Sequence, residues 1–183
     1  MGRRKIFVLL TGFSGRGANA LRVLTRCSYT HASIGLEEDM NTFYSFVIDK
    51  GFFVEKISRY VRPDRLPFRC QLYQLEVAEK VYRRVKQMIR NFLREKDRLF
   101  YSRSGLVLTL LKLPYPQRKH HYFCSNFVAF VLERSGAARL KKSSTHYLPG
   151  DFRSLAGANL CFQGDHRSML EYYGVLENLP LAA

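Results

Sequence analysis

The chain has 183 residues, with 30 Lys and Arg against 15 Asp and Glu, and so a formal charge of +15. That length suits a single domain with a core that needs no staples, predicted over 1–183 with its core at about 5–164, and the ordinary apolar content excludes a disordered chain. The charge favours anionic partners such as an anionic membrane face, nucleic acid or an acidic substrate, but it is spread along the chain, so an ordinary solvated basic surface is the better reading.

Lys5–Thr11 reads as a buried strand, although Arg3, Arg4 and Lys5 before Ile6–Leu10 imitate a signal peptide. Gly12, Ser14, Gly15 and Arg16 interrupt the apolar run too early for that. Ile6 at position six also breaks the myristoylation pattern. The loop with Gly12, Gly15 and Gly17 lacks the spacing of a phosphate loop. A short helix is predicted over Ala18–Arg26. Thr30–Leu36 is a strand whose alternation puts Ala32, Ile34 and Leu36 on one face and His31, Ser33 and Gly35 on the other. Residues 37–41 form a polar turn, Thr42–Ile48 the return strand, and Phe52–Val61 a further extended segment.

Leu72–Val77 is a strand. Ala78–Lys96 is the clearest helix, with Val81, Val85, Met88, Ile89, Phe92 and Leu93 on one stripe and seven Lys or Arg on the other. A solvated face is the better reading of those charges, with an anionic surface or polymer as the alternative. The apolar segment Ser104–Lys112 reads as a helix. After Pro114 and Pro116 comes a basic loop, Gln117–His121, and then a helix over Phe123–Ser135 that Gly136 ends. Pro149-Gly150 marks a turn and Leu160–Gln163 a closing strand. No stretch is long enough to span a membrane.

The four cysteines (Cys27, Cys70, Cys124 and Cys161) make no C-x-x-C pair, and no histidine pair has zinc-finger spacing. The pattern fits reduced thiols in the cytoplasm and predicts neither metal nor cofactor. Cys124 is singled out by its place on the opening turn of a helix. There the macrodipole and free N–H groups favour a thiolate and can hold an oxyanion. Such a nucleophile needs a base, and His31 lies mid-strand among small and apolar residues. Read from the residues alone, a core histidine bonded to the backbone is the commoner occupant of such a place. His120 and His121 precede the helix and add positive field.

The segments Tyr29-Thr30-His31-Ala32-Ser33-Ile34-Gly35-Leu36, Tyr44-Ser45-Phe46 and Tyr122-Phe123-Cys124-Ser125-Asn126-Phe127-Val128-Ala129, with Pro149-Gly150-Asp151-Phe152, resemble the circularly permuted papain-like cysteine hydrolases. These are the YiiX-like branch of the NlpC superfamily, distantly similar to lecithin:retinol acyltransferase. The resemblance implies an α+β fold, a small antiparallel sheet or half-barrel packed on the cysteine helix. It implies hydrolysis of an amide, peptide or ester through an acyl-thioester on Cys124, with His31 as base and then acid. Related enzymes place Glu, His, Asn or Gln after the strand histidine to orient its ring. Here the return strand offers Ser45 in that role, while Glu37 and Glu38 read as a solvated hairpin tip. Tyr29 is a candidate oxyanion donor or orienting group. The leading expectation is a cysteine amidase or peptidase acting on a small amide, peptide or acyl substrate. A lipid acyltransferase or phospholipase is the second enzymatic reading, and a non-catalytic module binding anionic polymers or membranes is the third.

Overall fold

The computed structural model describes residues 2–13, 15–62 and 66–176. The chain runs β1 (Arg3–Gly12), α1 (Arg16–Thr25), β2 (His31–Leu36), β3 (Thr42–Val47), β4 (Gly51–Lys56), β5 (Arg69–Ala78), α2 (Glu79–Arg94), β6 (Phe100–Tyr101), α3 (Arg103–Leu110), β7 (His121–Tyr122), α4 (Cys124–Ser135), β8 (Ala158–Asp165) and α5 (His166–Tyr172). Six strands form one antiparallel sheet in the order β4-β3-β2-β1-β5-β8; β6 and β7 make a short parallel pair. The architecture is α+β.

The sheet is covered on both faces, which is why every residue of β2 is buried. On one face Ile6, Val8, Leu10, Ala32, Ile34 and Leu36 pack with Tyr82, Val85 and Ile89 of α2 and Phe127, Val128, Val131 and Leu132 of α4. On the other, Phe7, Leu9, Phe43, Cys70 and Leu72 pack with Ile57 and with Met169 and Leu170 of α5. The sequence reading leaves α5 as loop. Its signal is Asp165, whose carboxylate accepts from the N–H groups of Arg167 (2.9 Å) and Ser168 (3.0 Å) and so caps the helix.

The extended segment expected to reach Val61 ends at Lys56, where a 3₁₀ turn over Ile57–Tyr60 follows. β8 runs past both ends of the predicted Leu160–Gln163, and the β6–β7 pair is too short to leave a periodicity. The expected solvated tip at Glu37 and Glu38 is instead clamped. Glu37 bonds Arg4 and the Lys5 N–H, while Glu38 accepts from Tyr82 Oη (2.7 Å) and Lys86 Nζ (2.8 Å). The hairpin is thereby tied to α2, and part of that helix's basic face is neutralised.

Two local features shape the site. β2 and β3 pair at Ile34/Tyr44 and Gly35/Phe43, whereas β1–β2 and β3–β4 each pair along six positions. Gly35 allows the close approach, since a Cβ there would stand 2.6 Å from the Phe43 ring. Toward His31 the two strands part, and Ser45 Oγ donates to the Ala32 carbonyl at 2.6 Å. α4 packs against both strands at this opening. Gly136, at φ +79°, ends α4 in the left-handed turn its sequence predicts. Among the described residues no helix is long and apolar enough to cross a membrane.

Candidate active site

α4 begins at Cys124 with no side-chain cap from Phe123, so its first-turn N–H groups are left to other partners. The start of the helix is pinned by its neighbours: Ser125 Oγ donates to the Tyr147 carbonyl (2.7 Å) and Asn126 Nδ2 to Gln117 Oε1 (3.0 Å). Cys124 is buried and lines the same cleft as His31, near enough for the imidazole to act on its thiol. His31 Nε2 meets Glu55 Oε1 of β4 at 2.5 Å. With Nε2 so engaged, Nδ1 is the ring nitrogen left for the thiol.

Electrostatics follow from this chain of contacts. Burial opposes the His31 cation. The Glu55 charge, with hydrogen bonds to Cys124 and Glu55, outweighs burial and pushes the imidazole up to about 10. For Cys124, too, burial opposes the charged form. The His31 hydrogen bond and charge, then backbone hydrogen bonds from Ala32 and Ser125, prevail and hold the thiol below its ordinary value. Each shift favours the charged form of its group, so the two side chains support one another as thiolate and imidazolium.

The pair lies in a cleft of about 330 Å³. Its walls are mostly apolar, including Leu21 and Leu24 of α1, Phe46, Tyr101, and Leu106 and Leu110 of α3. The Phe13 ring covers His31 (centroids 5.5 Å apart) and leans on Tyr60 and Phe68, closing that side with aromatics. A dry wall of this kind strengthens the His31–Glu55 interaction.

Cys124 and His31 are brought together; the other two predicted residues are not. Ser45 gives its hydroxyl to Ala32, and the place at His31 belongs to Glu55. Tyr29 is half-buried in the core, where burial and then the charge of Cys70 raise its pKa, with Arg153, Tyr73 and Cys27 as further neighbours. Cys124 is not among the groups that act on it. The tyrosine beside the thiol is Tyr101, held far above the ordinary value by burial and then by the Cys124 charge, and so protonated. His120 faces Glu95 (3.7 Å) and His121 the Lys119 carbonyl (2.9 Å), both outside the cleft lining. Sequence reasoning missed Glu55, whose one signal is a carboxylate directly after the apolar run Phe52-Phe53-Val54, with nothing in the pattern to tie it to His31. All four cysteines are free, and the described residues hold no cluster of His, Cys, Asp and Glu suited to a metal ion. No family model and no curated protein matches this sequence.

Proposed function

We propose that the protein is a thiol-dependent acyl hydrolase or acyltransferase of the circularly permuted papain-like type, with Cys124 as nucleophile, His31 as acid and base, and Glu55 as the group that orients and charges His31. The observation that carries this reading is the 2.5 Å contact of Glu55 Oε1 with His31 Nε2, on a histidine that shares its cleft with Cys124. The Cys124 thiolate attacks the acyl carbonyl carbon, and the carbonyl π electrons move onto oxygen. In this reading the first-turn N–H groups of α4 and the hydroxyl of Tyr101, which lines the same cleft as Cys124, receive that oxyanion. Collapse breaks the bond to the leaving amine or alcohol, which takes the His31 proton. Water, or an acceptor alcohol or amine, then attacks the thioester as His31 removes its proton, and the thiolate returns.

The sequence expectation led with amides and peptides. The apolar lining of the cleft favours an apolar acyl group, and so gives the ester- or lipid-cleaving reading more weight than composition did. The test is a panel of p-nitrophenyl esters from acetyl to decanoyl beside acyl-peptide coumarin amides, with intact-mass detection of the acyl-enzyme. The expected result is an adduct on Cys124, turnover rising with acyl length, loss of both in Cys124→Ala, and a fall of about 10²–10⁴ in His31→Ala. A folded protein that forms no adduct with any donor, and whose Cys124 alkylates no faster than Cys27, would overturn it.

A further inference from the structure

α1 and α3 flank the cleft with side chains that the fold does not bury. Val23 is 76 % exposed, Leu24 68 %, Val107 53 % and Leu111 62 %; Ile48 and Leu113 are exposed beside them. A large apolar residue alone on a surface is ordinary, but Leu24 and Ile48 line the cleft itself, and Val23, Val107 and Leu111 directly follow or precede the lining residues Leu24, Leu106 and Leu110 in the chain. Leu24 and Leu110 line the catalytic cleft and also a second groove of about 730 Å³. That groove adds Arg26, Lys112, Lys142 and Arg153. The acids at this face are matched: Asp151 meets Lys142 at 2.8 Å, and Asp49 meets Arg103. An apolar rim is therefore continuous with a basic groove that retains excess positive charge.

We infer that this face, α1 with α3 and the adjoining basic groove, docks the protein on a bilayer bearing anionic headgroups. Protruding Val and Leu enter the acyl boundary while Arg and Lys stay at headgroup level, the arrangement of interfacial helices. Negative surface potential of the leaflet supplies the complementary charge. The partner differs in place from the one the sequence pattern suggested. The α2 basic face is part-neutralised by Glu38 on Lys86 and Glu79 on Arg83, and among the described residues α2 presents no large apolar side chain that is exposed. Docking here turns the mouth of the cleft toward the lipid, so a bilayer-borne acyl donor need not cross water. The inference goes beyond the catalytic reading and does not need Cys124 to react.

The experiment is flotation of the purified chain with 100 nm vesicles of phosphatidylcholine, with and without 30 % phosphatidylglycerol. The variants are Val23→Asp/Leu111→Asp, Arg26→Glu/Lys112→Glu, Arg84→Glu/Arg90→Glu on α2, and Cys124→Ala. Wild type and Cys124→Ala should bind the anionic vesicles at least tenfold better than the neutral ones, with binding falling as salt rises. Both α1/α3 pairs should lose tenfold or more, and the α2 pair less than twofold. Iodoacetamide labelling of Cys124 at the wild-type rate shows that the α1/α3 and α2 variants remain folded. Failure of the wild type to float, equal flotation of the α1/α3 variants, or loss of flotation only in the α2 pair overturns the inference. So does a wild-type dimer that Val23→Asp/Leu111→Asp dissolves without any vesicle binding, which would assign the face to a second copy of this chain. Flotation with an inert Cys124 leaves docking standing and refutes the enzyme alone.

Discussion

The Glu55 carboxylate and the His31 imidazole meet at 2.5 Å although β3 lies between their strands in the sheet. Two inter-strand spacings come to about 9–10 Å, a gap that a glutamate and a histidine span only by reaching toward each other. The parting of β2 from β3 beyond the Ile34/Tyr44 pair makes this possible, and so does the small Ser45 on the face β3 shares with Glu55. Glu55 is 1 % exposed, and a carboxylate so buried is retained only against a strong partner.

Glu55→Gln should keep the shape of the site and remove its charge. The His31 cation then loses its main support, its pKa falls, and the thiolate loses its counter-ion. The midpoint of iodoacetamide alkylation at Cys124 should move to higher pH by about 1–3 units, in line with the effect of one nearby charge. Ester turnover at pH 7 should fall with it. An unmoved midpoint would show that Glu55 serves packing alone.

The sheet, α2 and α4 were legible because each carries a clean period, and Cys124 because a helix start is visible in sequence. His31 was legible through resemblance more than through its pattern. Glu55 was not, because pairing rules tie His31 to the strand next to β2, whereas the sheet's divergence lets a residue of the second neighbour reach in. Tyr101 lay hidden for a related reason: a two-residue strand has no period, and only the β6–β7 pairing sets it beside Cys124. Ser45 faces the same side of the sheet as Glu55, but its hydroxyl goes to the Ala32 carbonyl and not to the His31 ring.

Stability should depend on pH through the same pair. Cys124 has a lowered pKa, so its contribution is complete above the unfolded-chain value of about 8.5 and is lost as pH falls through the folded value. The gap in Tm between wild type and Cys124→Ala should therefore widen from pH 5 toward pH 8.5. His31 works in the opposite sense: its contribution is complete below about 6.5 and lost as pH rises through about 10. Wild-type stability from the pair is greatest between those limits, and thermal melts from pH 5 to 10 check it. A gap that narrows with rising pH contradicts the thiolate assignment.

Ser45→Ala separates the two hydroxyl roles. It removes the bond to the Ala32 carbonyl and should cost about 1 kcal/mol of stability in chemical denaturation. The alkylation midpoint of Cys124 should stay where it is. A shift like that of Glu55→Gln would mean that Ser45 acts on the His31 ring after all.

Tyr101→Phe tests the oxyanion assignment. Alkylation by iodoacetamide builds no oxyanion, so its rate at Cys124 should change little. Ester hydrolysis passes through a tetrahedral intermediate, and loss of one preorganised donor there costs about 10²–10³ in kcat. The phenylalanine keeps the ring in the cleft wall, so KM for a long-chain ester should move less than threefold. Tyr29→Phe, whose hydroxyl belongs to the Cys70 and Tyr73 neighbourhood, should leave kcat unchanged. If the two variants exchange these outcomes, the donor is Tyr29 and the cleft must rearrange on binding substrate. If neither changes kcat, the α4 N–H groups carry the oxyanion without a tyrosine.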